Sequence, residues 1–405
     1  MSIQRGKITF DWDATTKSLT NVRVNGTDFG VIIPPLLQNT VLNIVSPFNM
    51  SRRFVFLDPS FKTLCNDVFE AIRIIKTSDN DDVLGAYLAS RLFEFSASYW
   101  LNSLLNRGLY LSGIGFWQAV LEVTRQWEEA NNPITVHKGT PLFFLAENYL
   151  LIGDRDNGFV YLYSALEDDK KLPQLGYPKK APAYFTARML DETGNQMYFL
   201  IRELWNKLGG FISKYRENYN QSFTGSQFES KFLRNDDLSD IVYFFVYNFL
   251  FLYDLDKNTT RNLLQNEFSR LKILDLVFNL SLIIDEVLKE AYRKELGSKY
   301  DKMFKGVVWF CNKKNLIQQT DLENYCKTDL KINDEQPDIV IPRLLSKTET
   351  YNGTLIKKEV LSLLISYHLR NHGGHNIDQQ SVLTSKYDEI IEELFMALFL
   401  VVELL

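Results

Sequence analysis

Val360-Leu361-Ser362-Leu363-Leu364-Ile365-Ser366-Tyr367-His368-Leu369-Arg370-Asn371-His372-Gly373-Gly374-His375 is an apolar run that abruptly turns polar. Its period is helical. Glu359, Ser362, Ser366 and Arg370 follow one another by three, four and four residues, so on a helix they line one polar stripe through an aliphatic surface. In a bundle, that stripe is expected to face solvent, a cleft or a second subunit, because unpaired polar groups in a core cost about 1 to 3 kcal/mol each. The Gly373-Gly374 pair suits a helix C-terminus, which sets a helix over Ile356 to Asn371 with His375 in the turn beyond, free to swing back towards Arg370. Three of the four histidines fall within these last eight residues. Arginine and histidine are costly to bury unpaired, so Arg370 to His375 is the candidate site.

Working outward, the same periodicity predicts helices over Asp237 to Asp254, Thr260 to Lys294, Lys299 to Lys313 and Ser385 to Leu405. Residues 236 to 405 thus read as a helical bundle. Within it, Asn315 to Gly353 is polar, carries Pro337 and Pro342, and reads as a 315 to 353 insertion running around the bundle; nothing in this half alternates like a sheet. Arg216 to Asn235, rich in Asn, Ser, Gln and Gly with few aliphatic residues, is the expected domain boundary.

Residues 61 to 215 form a helical-hairpin region, with helices over Asp81 to Asn106, Phe116 to Ala130, Leu142 to Ile152, Gly158 to Asp168 and Ala183 to Lys207. One pair resembles a tetratricopeptide repeat: Leu142, Leu145, Ala146, Tyr149, Gly158, Leu162 and Ala165 sit at its packing positions, and Gly153-Asp154 turns the corner. Residues 1 to 60 are a small β-rich segment. Lys7 to Trp12 and Leu19 to Val24 alternate, and Asn25-Gly26 is a hairpin signal leading into Asp28 to Ile33. The fold class is therefore mainly α, opened by a small antiparallel β meander.

Composition bounds the function. The chain has 405 residues, 45% apolar and 14% aromatic, with a formal charge of -5, which supports conventional cores and leaves any nucleic-acid contact to a local patch. Cys65, Cys311 and Cys326 are odd in number and in no metal-ligand spacing, which suits free thiols and a cytoplasmic location. Met1 to Phe10 has no apolar secretory core. Ile241 to Tyr253 and Leu394 to Leu405 fall short of the ~20 residues that span a bilayer, so no membrane contact is expected.

Among the charged residues, Arg52-Arg53, Lys170-Lys171 and Lys179-Lys180 are candidate RNA-backbone contacts, the last near Tyr177 and Tyr184, whose rings could stack on bases. His137 reads as a surface loop residue. His368 and His372, four apart, would suit a metal, but the zincin pattern needs a glutamate where Leu369 stands, so neither metal nor cofactor is expected. His368, two positions from Arg370, points to the opposite face as a core residue. Gly113-Ile114-Gly115 lacks a dinucleotide loop's third glycine, and no Walker lysine motif occurs.

What remains is an arginine and an imidazole without carboxylates or metal, the pairing that suits phosphoryl transfer from a ribose 2'-hydroxyl. Arg370, the polar Asn371 and His375, five residues after the arginine, resemble the Arg-polar-x-His motif of the HEPN superfamily, on a penultimate helix followed by one last helix. Leu282-Ile283-Ile284-Asp285-Glu286-Val287-Leu288-Lys289-Glu290-Ala291-Tyr292 looks like that bundle's early helix. The resemblance covers at most residues 236 to 405. It implies a metal-independent endoribonuclease that acts as a homodimer, often as a toxin or defence enzyme, with His375 as acid-base, Arg370 on the phosphate, Asn371 orienting, and His372, Glu359 and Ser366 as helpers. Inactive members only bind, so the alternative is a non-catalytic protein whose helical-repeat region takes a protein partner.

Overall fold

The computed structural model describes residues 59–78, 82–103, 110–192, 197–257, 267–373 and 381–405, and the backbone of strands between residues 2 and 28. Arg52, Arg53 and His375 lie outside the described residues. The chain is mainly helical and divides into two compact units, 1–187 with 195–197, and 188–194 with 198–405.

The first unit opens with an antiparallel meander, β1 (Ser2–Arg5), β2 (Ile8–Asp13), β3 (Ser18–Val24) and β4 (Thr27–Asp28), in that order across the sheet. Arg23 pairs with Asp28 and Val24 with Thr27, around the Asn25-Gly26 hairpin signal. Helices α1 (Pro59–Ser78), α2 (Asp82–Ser103), α3 (Tyr110–Ala130), α4 (Gly139–Leu151), α5 (Arg155–Asp169) and α6 (Pro182–Ala187) follow. On α1 the buried residues Cys65, Val68, Phe69, Ile72 and Ile75 recur at helical spacing and make its core face.

The α4–α5 hairpin forms where the sequence places it. Gly153 turns the corner at φ +79°, a conformation that costs glycine nothing, and Asp154 caps α5 by accepting from Asn157 N at 3.2 Å. Gly158 is required by close approach: a Cβ there would lie 2.6 Å from a Leu150 methyl. Leu145, Ala146, Leu162 and Ala165 are buried between the helices, and Tyr149 stacks on Tyr161 with centroids 5.5 Å apart.

His137 is not a surface residue. Its side chain is 7% exposed, with Nε2 3.1 Å from Asp169 Oδ1 and 3.7 Å from Asp168 Oδ2, which anchors the loop before α4 to the end of α5.

In the second unit, α7 (Tyr198–Asn218), α8 (Gly225–Phe228, continued as a π turn to Leu233), α9 (Ser239–Lys257), α10 (Glu267–Leu296), α11 (Met303–Lys313), α12 (Gln319–Asn324), α13 (Pro337–Leu345), α14 (Lys358–Gly373), α15 (Ser381–Ser385) and α16 (Tyr387–Val402) form a bundle. Helix α16 is its centre. It is buried almost all round from Ile390 to Val402, which explains its apolar composition, and it packs against α7, α10 and α14. Phe395 stacks on Phe211 at 4.1 Å, and Phe399 meets Tyr215, Phe223 and Phe228 edge-on or tilted.

The structure corrects several further expectations. Residues 216 to 235 are not the boundary; the units part near residue 187. The segment lacks aliphatic side chains because it packs with aromatic ones, Phe223, Phe228 and Phe232 being buried, and Thr224 with Gln227 closes a capping box. The helix expected over Ala183 to Lys207 breaks into α6 and α7. Between them Met189 adopts φ +56°, and the buried Arg188 donates to the carbonyls of Leu233, at 2.7 Å, and Asn235.

The 315 to 353 insertion is no excursion either. Leu322, Tyr325, Leu330, Val340, Ile341 and Leu344 are fully buried, so it supplies core. It ends in a two-stranded hairpin, β5 (Thr350–Tyr351) with β6 (Thr354–Leu355), where no sheet is expected; two residues a side is too short to leave an alternation signal. Finally, the stripe on α14, expected to face solvent, a cleft or a second subunit, is interior at its middle, where Ser362 and Ser366 are fully buried, and part-exposed only at Glu359 and Arg370. Ser362 escapes the expected penalty by donating to Glu393 Oε2 at 2.6 Å, with Lys358 O at 3.0 Å and Tyr219 Oη at 2.9 Å also beside its hydroxyl.

Among the described residues, one helix, Asp236–Asp256, has the length and apolarity to cross a membrane; half of its most apolar window is buried. Within it, Phe245 and Phe249 pack on Phe395, and the buried Asn248 accepts from Asn279 Nδ2 at 3.1 Å, which is how a core helix of the bundle uses such a sequence.

Candidate functional site

The C-terminal end of α14 projects Arg370, Asn371 and His372 from a helix whose previous nine residues are all buried. The half-exposed Arg370 places its Nε 3.4 Å from Oδ2 of Asp285, a residue of α10 with no exposed surface. Asp285 is a hub. Its Oδ2 also faces Lys289 Nζ at 3.1 Å, one helical turn along, while Tyr300 Oη donates to its Oδ1 at 2.8 Å and to its backbone carbonyl at 2.9 Å. Burial, reinforced by the carboxylate, pushes the Tyr300 phenol well above its usual range, so the hydroxyl stays a donor.

The approach of Tyr300 depends on Gly306 of α11, where a Cβ would lie 2.4 Å from the tyrosine ring. The half-exposed Arg370 is thus held at Nε by the Asp285 carboxylate, and Asn371 Oδ1 accepts from its Nη1 at 3.4 Å. A guanidinium kept in place by a buried carboxylate is suited to receive a phosphate oxygen.

On the neighbouring face, His368 is fully buried with Nδ1 2.8 Å from the Ile332 carbonyl, which the insertion delivers. Burial, and secondarily the nearby His372, pushes this imidazole down to about 4, so it is neutral at physiological pH. The His372 ring lies 4.3 Å from it, centroid to centroid. Tyr367, buried one position earlier, donates to Asn333 Oδ1 at 2.7 Å and packs against Phe304.

The structure brings Arg370 against Asp285, with Asn371 Oδ1 beside its Nη1, while His372 lies against His368 on another face of α14. Glu359 stands in the first turn of α14, eleven residues and ~16 Å of helix from Arg370. Ser366 is nearer but buried, and its hydroxyl makes no hydrogen bond. In the first unit, Lys179 and Lys180 are exposed, but the rings beside them are occupied: Tyr184 is buried against Phe185, and Tyr177 faces the His137 ring at 6.2 Å. Lys170 and Lys171 are paired with Glu167 and Asp168 at 2.6 and 2.8 Å.

Asp285, Lys289 and Tyr300 carry no assigned role in the sequence reading. Their one signal there is the Asp285 to Lys289 spacing on a helix; that the pair meets Arg370 is a long-range fact. Among the described residues, no group of three or more histidine, cysteine, aspartate or glutamate side chains is arranged to hold a metal ion. The three cysteines are free and buried, and burial raises their thiol pKa values, Cys311 to about 12, which keeps them protonated. Comparison with protein-family models, with curated proteins and with solved structures finds no match to this chain.

Proposed function

We propose that the second unit is a metal-independent endoribonuclease of HEPN type, and that the Arg370 end of α14 is its active centre. The observation that carries this reading is Arg370 itself: a half-exposed guanidinium at a helix end, backed by the fully buried Asp285 and with the Asn371 amide beside it. In the proposed reaction an imidazole, His375 by the family analogy, takes the proton of a ribose 2'-hydroxyl. The 2'-oxygen attacks phosphorus, the bond to the 5'-oxygen breaks, and the proton passes to that oxygen. A 2',3'-cyclic phosphate and a 5'-hydroxyl result, with no water consumed. Arg370 carries the charge on the phosphate oxygens and Asn371 orients the imidazole or substrate. A toxin or defence role and a cytoplasmic location accompany this reading, as does a homodimer that pairs two such helix ends in one cleft. The helical hairpins of the first unit, with their repeat-like α4–α5 pair, would take the RNA or a protein partner, with Lys179 and Lys180 as backbone contacts.

One observation favours a second reading, a bundle that binds or dimerises without catalysis: Asp285 faces both Arg370 and Lys289, as a purely structural ion cluster would. The experiment is RNA cleavage by the purified protein in EDTA, with Arg370→Ala and His375→Ala as controls. The proposal expects cleavage by wild type, cyclic-phosphate ends and loss in both variants. No cleavage, or equal cleavage by the variants, favours the binding role.

A further inference from the structure

A chain with a formal charge of -5 can hold RNA beside Arg370 only where cations collect locally. Residues 299–305, which join α10 to α11 and enter its first turn, are such a place. Lys299, Lys302 and Lys305 are all exposed, and among the described residues none of the three has an ion pair or a side-chain hydrogen bond. Asp301 is the one carboxylate in the segment. The cations around it are already taken: Arg293 bonds Glu290 at 2.8 Å, Lys294 lies 4.0 Å from Asp237, Lys313 pairs with Glu295, and Lys289 faces Asp285 and Glu286. Lys299 feels the charge of Glu290, which Arg293 holds.

Two side chains tie this segment to the Arg370 end. Tyr300 Oη donates to Asp285 Oδ1 at 2.8 Å while Asp285 Oδ2 faces Arg370 Nε at 3.4 Å, and the Phe304 ring packs on Tyr367 of α14 with centroids 5.3 Å apart. The backbone is therefore held against the site, and the lysines between the anchors stay in solvent. Local preference does not account for them. Lys302 is the N-cap residue of α11 with no side-chain cap bond, and the first turn holds no acid, although a helix start favours a capping oxygen and negative charge.

A second segment also meets α14 here, and its charge is opposite. Residues 327–335 bring the Ile332 carbonyl to His368 and Asn333 to Tyr367, and they carry Asp329, Asp334 and Glu335 against Lys327 and Lys331. A polyanion is disfavoured along that side and favoured along the other. We infer that residues 299–305 are the track for the RNA backbone on one side of Arg370, with the ammonium groups of Lys299, Lys302 and Lys305 taking phosphates that neighbour the one Arg370 holds. The substrate named here rests on the ribonuclease reading. Contacts to phosphates hold the strand in register without reading its sequence.

The test is binding of a fluorescently labelled, single-stranded 2'-O-methyl RNA to the full-length protein in EDTA, over a range of salt. The methyl group blocks the attacking hydroxyl, so the strand is bound and not cut. The variants are Lys302→Ala, Lys305→Ala and the two combined, all on exposed side chains. Lys386→Ala is the control: it changes the net charge equally, on an exposed lysine paired with Glu389 at 2.9 Å. Affinity should fall as salt rises, and the slope of log affinity against log salt should shrink by roughly 0.7 for each track lysine removed, with the control unchanged. Lys302→Glu should weaken binding further, and Lys302→Arg should restore it.

No binding by wild type at low salt overturns the inference, as do track variants whose slopes match the control. So does an acidic peptide of equal charge that displaces the RNA as well as unlabelled RNA does, which would make the partner a protein. The two readings fail separately. Unmodified RNA cut by wild type, with track variants that bind unchanged, sinks the track and leaves the ribonuclease standing; binding that depends on the track, with no cleavage of unmodified RNA, supports the track and sinks the ribonuclease.

Discussion

Arg370 Nε stands 3.4 Å from Asp285 Oδ2, a half-exposed guanidinium against a carboxylate that has no exposed surface. The two partners are therefore unequal. Removing Asp285 leaves Arg370 without this counter-charge, Lys289 with Glu286 alone, and the buried Tyr300 hydroxyl without its side-chain acceptor. Asp285→Ala is expected to lose about 3 kcal/mol or more in urea unfolding. Arg370→Ala leaves Asp285 with Lys289 and Tyr300, and is expected to cost under about 1 kcal/mol. On the proposed function, the arginine variant keeps its fold and loses roughly 10² to 10³-fold in RNA cleavage. A large stability loss in Arg370→Ala would make the arginine a structural residue.

Gly306→Ala acts on the same hub from a distance. The added methyl would meet the Tyr300 ring at 2.4 Å, which is no contact a side chain can keep. The ring must shift, and its hydrogen bonds to Asp285 weaken. The expected cost is about 1 to 3 kcal/mol. Gly306→Ala combined with Tyr300→Phe should cost less than the sum of the two, because both act through one hydroxyl. Full additivity in unfolding experiments would contradict the coupling.

Glu393 joins three elements by side chains alone: Ser362 on α14 at 2.6 Å, Tyr219 after α7 at 3.4 Å and Lys347 after α13 at 2.6 Å. Burial, followed by the Glu393 charge, raises the Tyr219 phenol far above its usual range. Tyr219→Phe and Ser362→Ala each remove a hydrogen bond from a mostly buried network, for about 1 to 2 kcal/mol apiece. Tyr219 Oη and Ser362 Oγ are 2.9 Å apart, so a double-mutant cycle should return a coupling of about 0.5 kcal/mol or more. A coupling of zero would show that the two hydroxyls act independently.

Glu147, on α4, is 1% exposed; its Oε2 has no hydrogen-bond partner, and burial pushes its carboxyl up to about 8. The native chain thus binds a proton there between the unfolded carboxylate value and about 8, where the unfolded chain does not. Stability from this group is full below the unfolded pKa and is lost as pH rises through the folded one. Unfolding free energy of wild type should fall by a few kcal/mol at most, on the order of 1 kcal/mol per pH unit, between about pH 5 and 8. Glu147→Gln, neutral at every pH, should flatten that slope. A wild type and variant with parallel pH profiles would place the carboxyl in a less buried site.

The helices were legible because each must bury a stripe, and a stripe has a period. On α5, expected over Gly158 to Asp168, residues 162, 165 and 166 declare their buried face without help from the rest of the chain. The turn at Gly153-Asp154 is equally local, a left-handed glycine followed by a cap. The break after Ala187 was not legible, because the guanidinium of Arg188 is bonded to carbonyls some 45 residues away, Leu233 among them. Segment 216–235 misled for a related reason: its polar composition hides aromatic residues whose partners lie on α16.

The site divides in the same way. Sequence by itself determined that the chain is mainly helical, that α14 ends in a polar cluster at Arg370, and that a buried apolar helix follows, since period, capping residues and the transfer cost of charge are properties of short stretches. Only the tertiary structure decided that Arg370 rests on Asp285 and that the Ile332 carbonyl sets the tautomer of His368. It also decided that Ser362 of the stripe bonds inward to Glu393. Each depends on atoms brought within about 3 Å across dozens of residues of chain, and hydrogen bonds and ion pairs at that range are chosen by packing, not by sequence spacing.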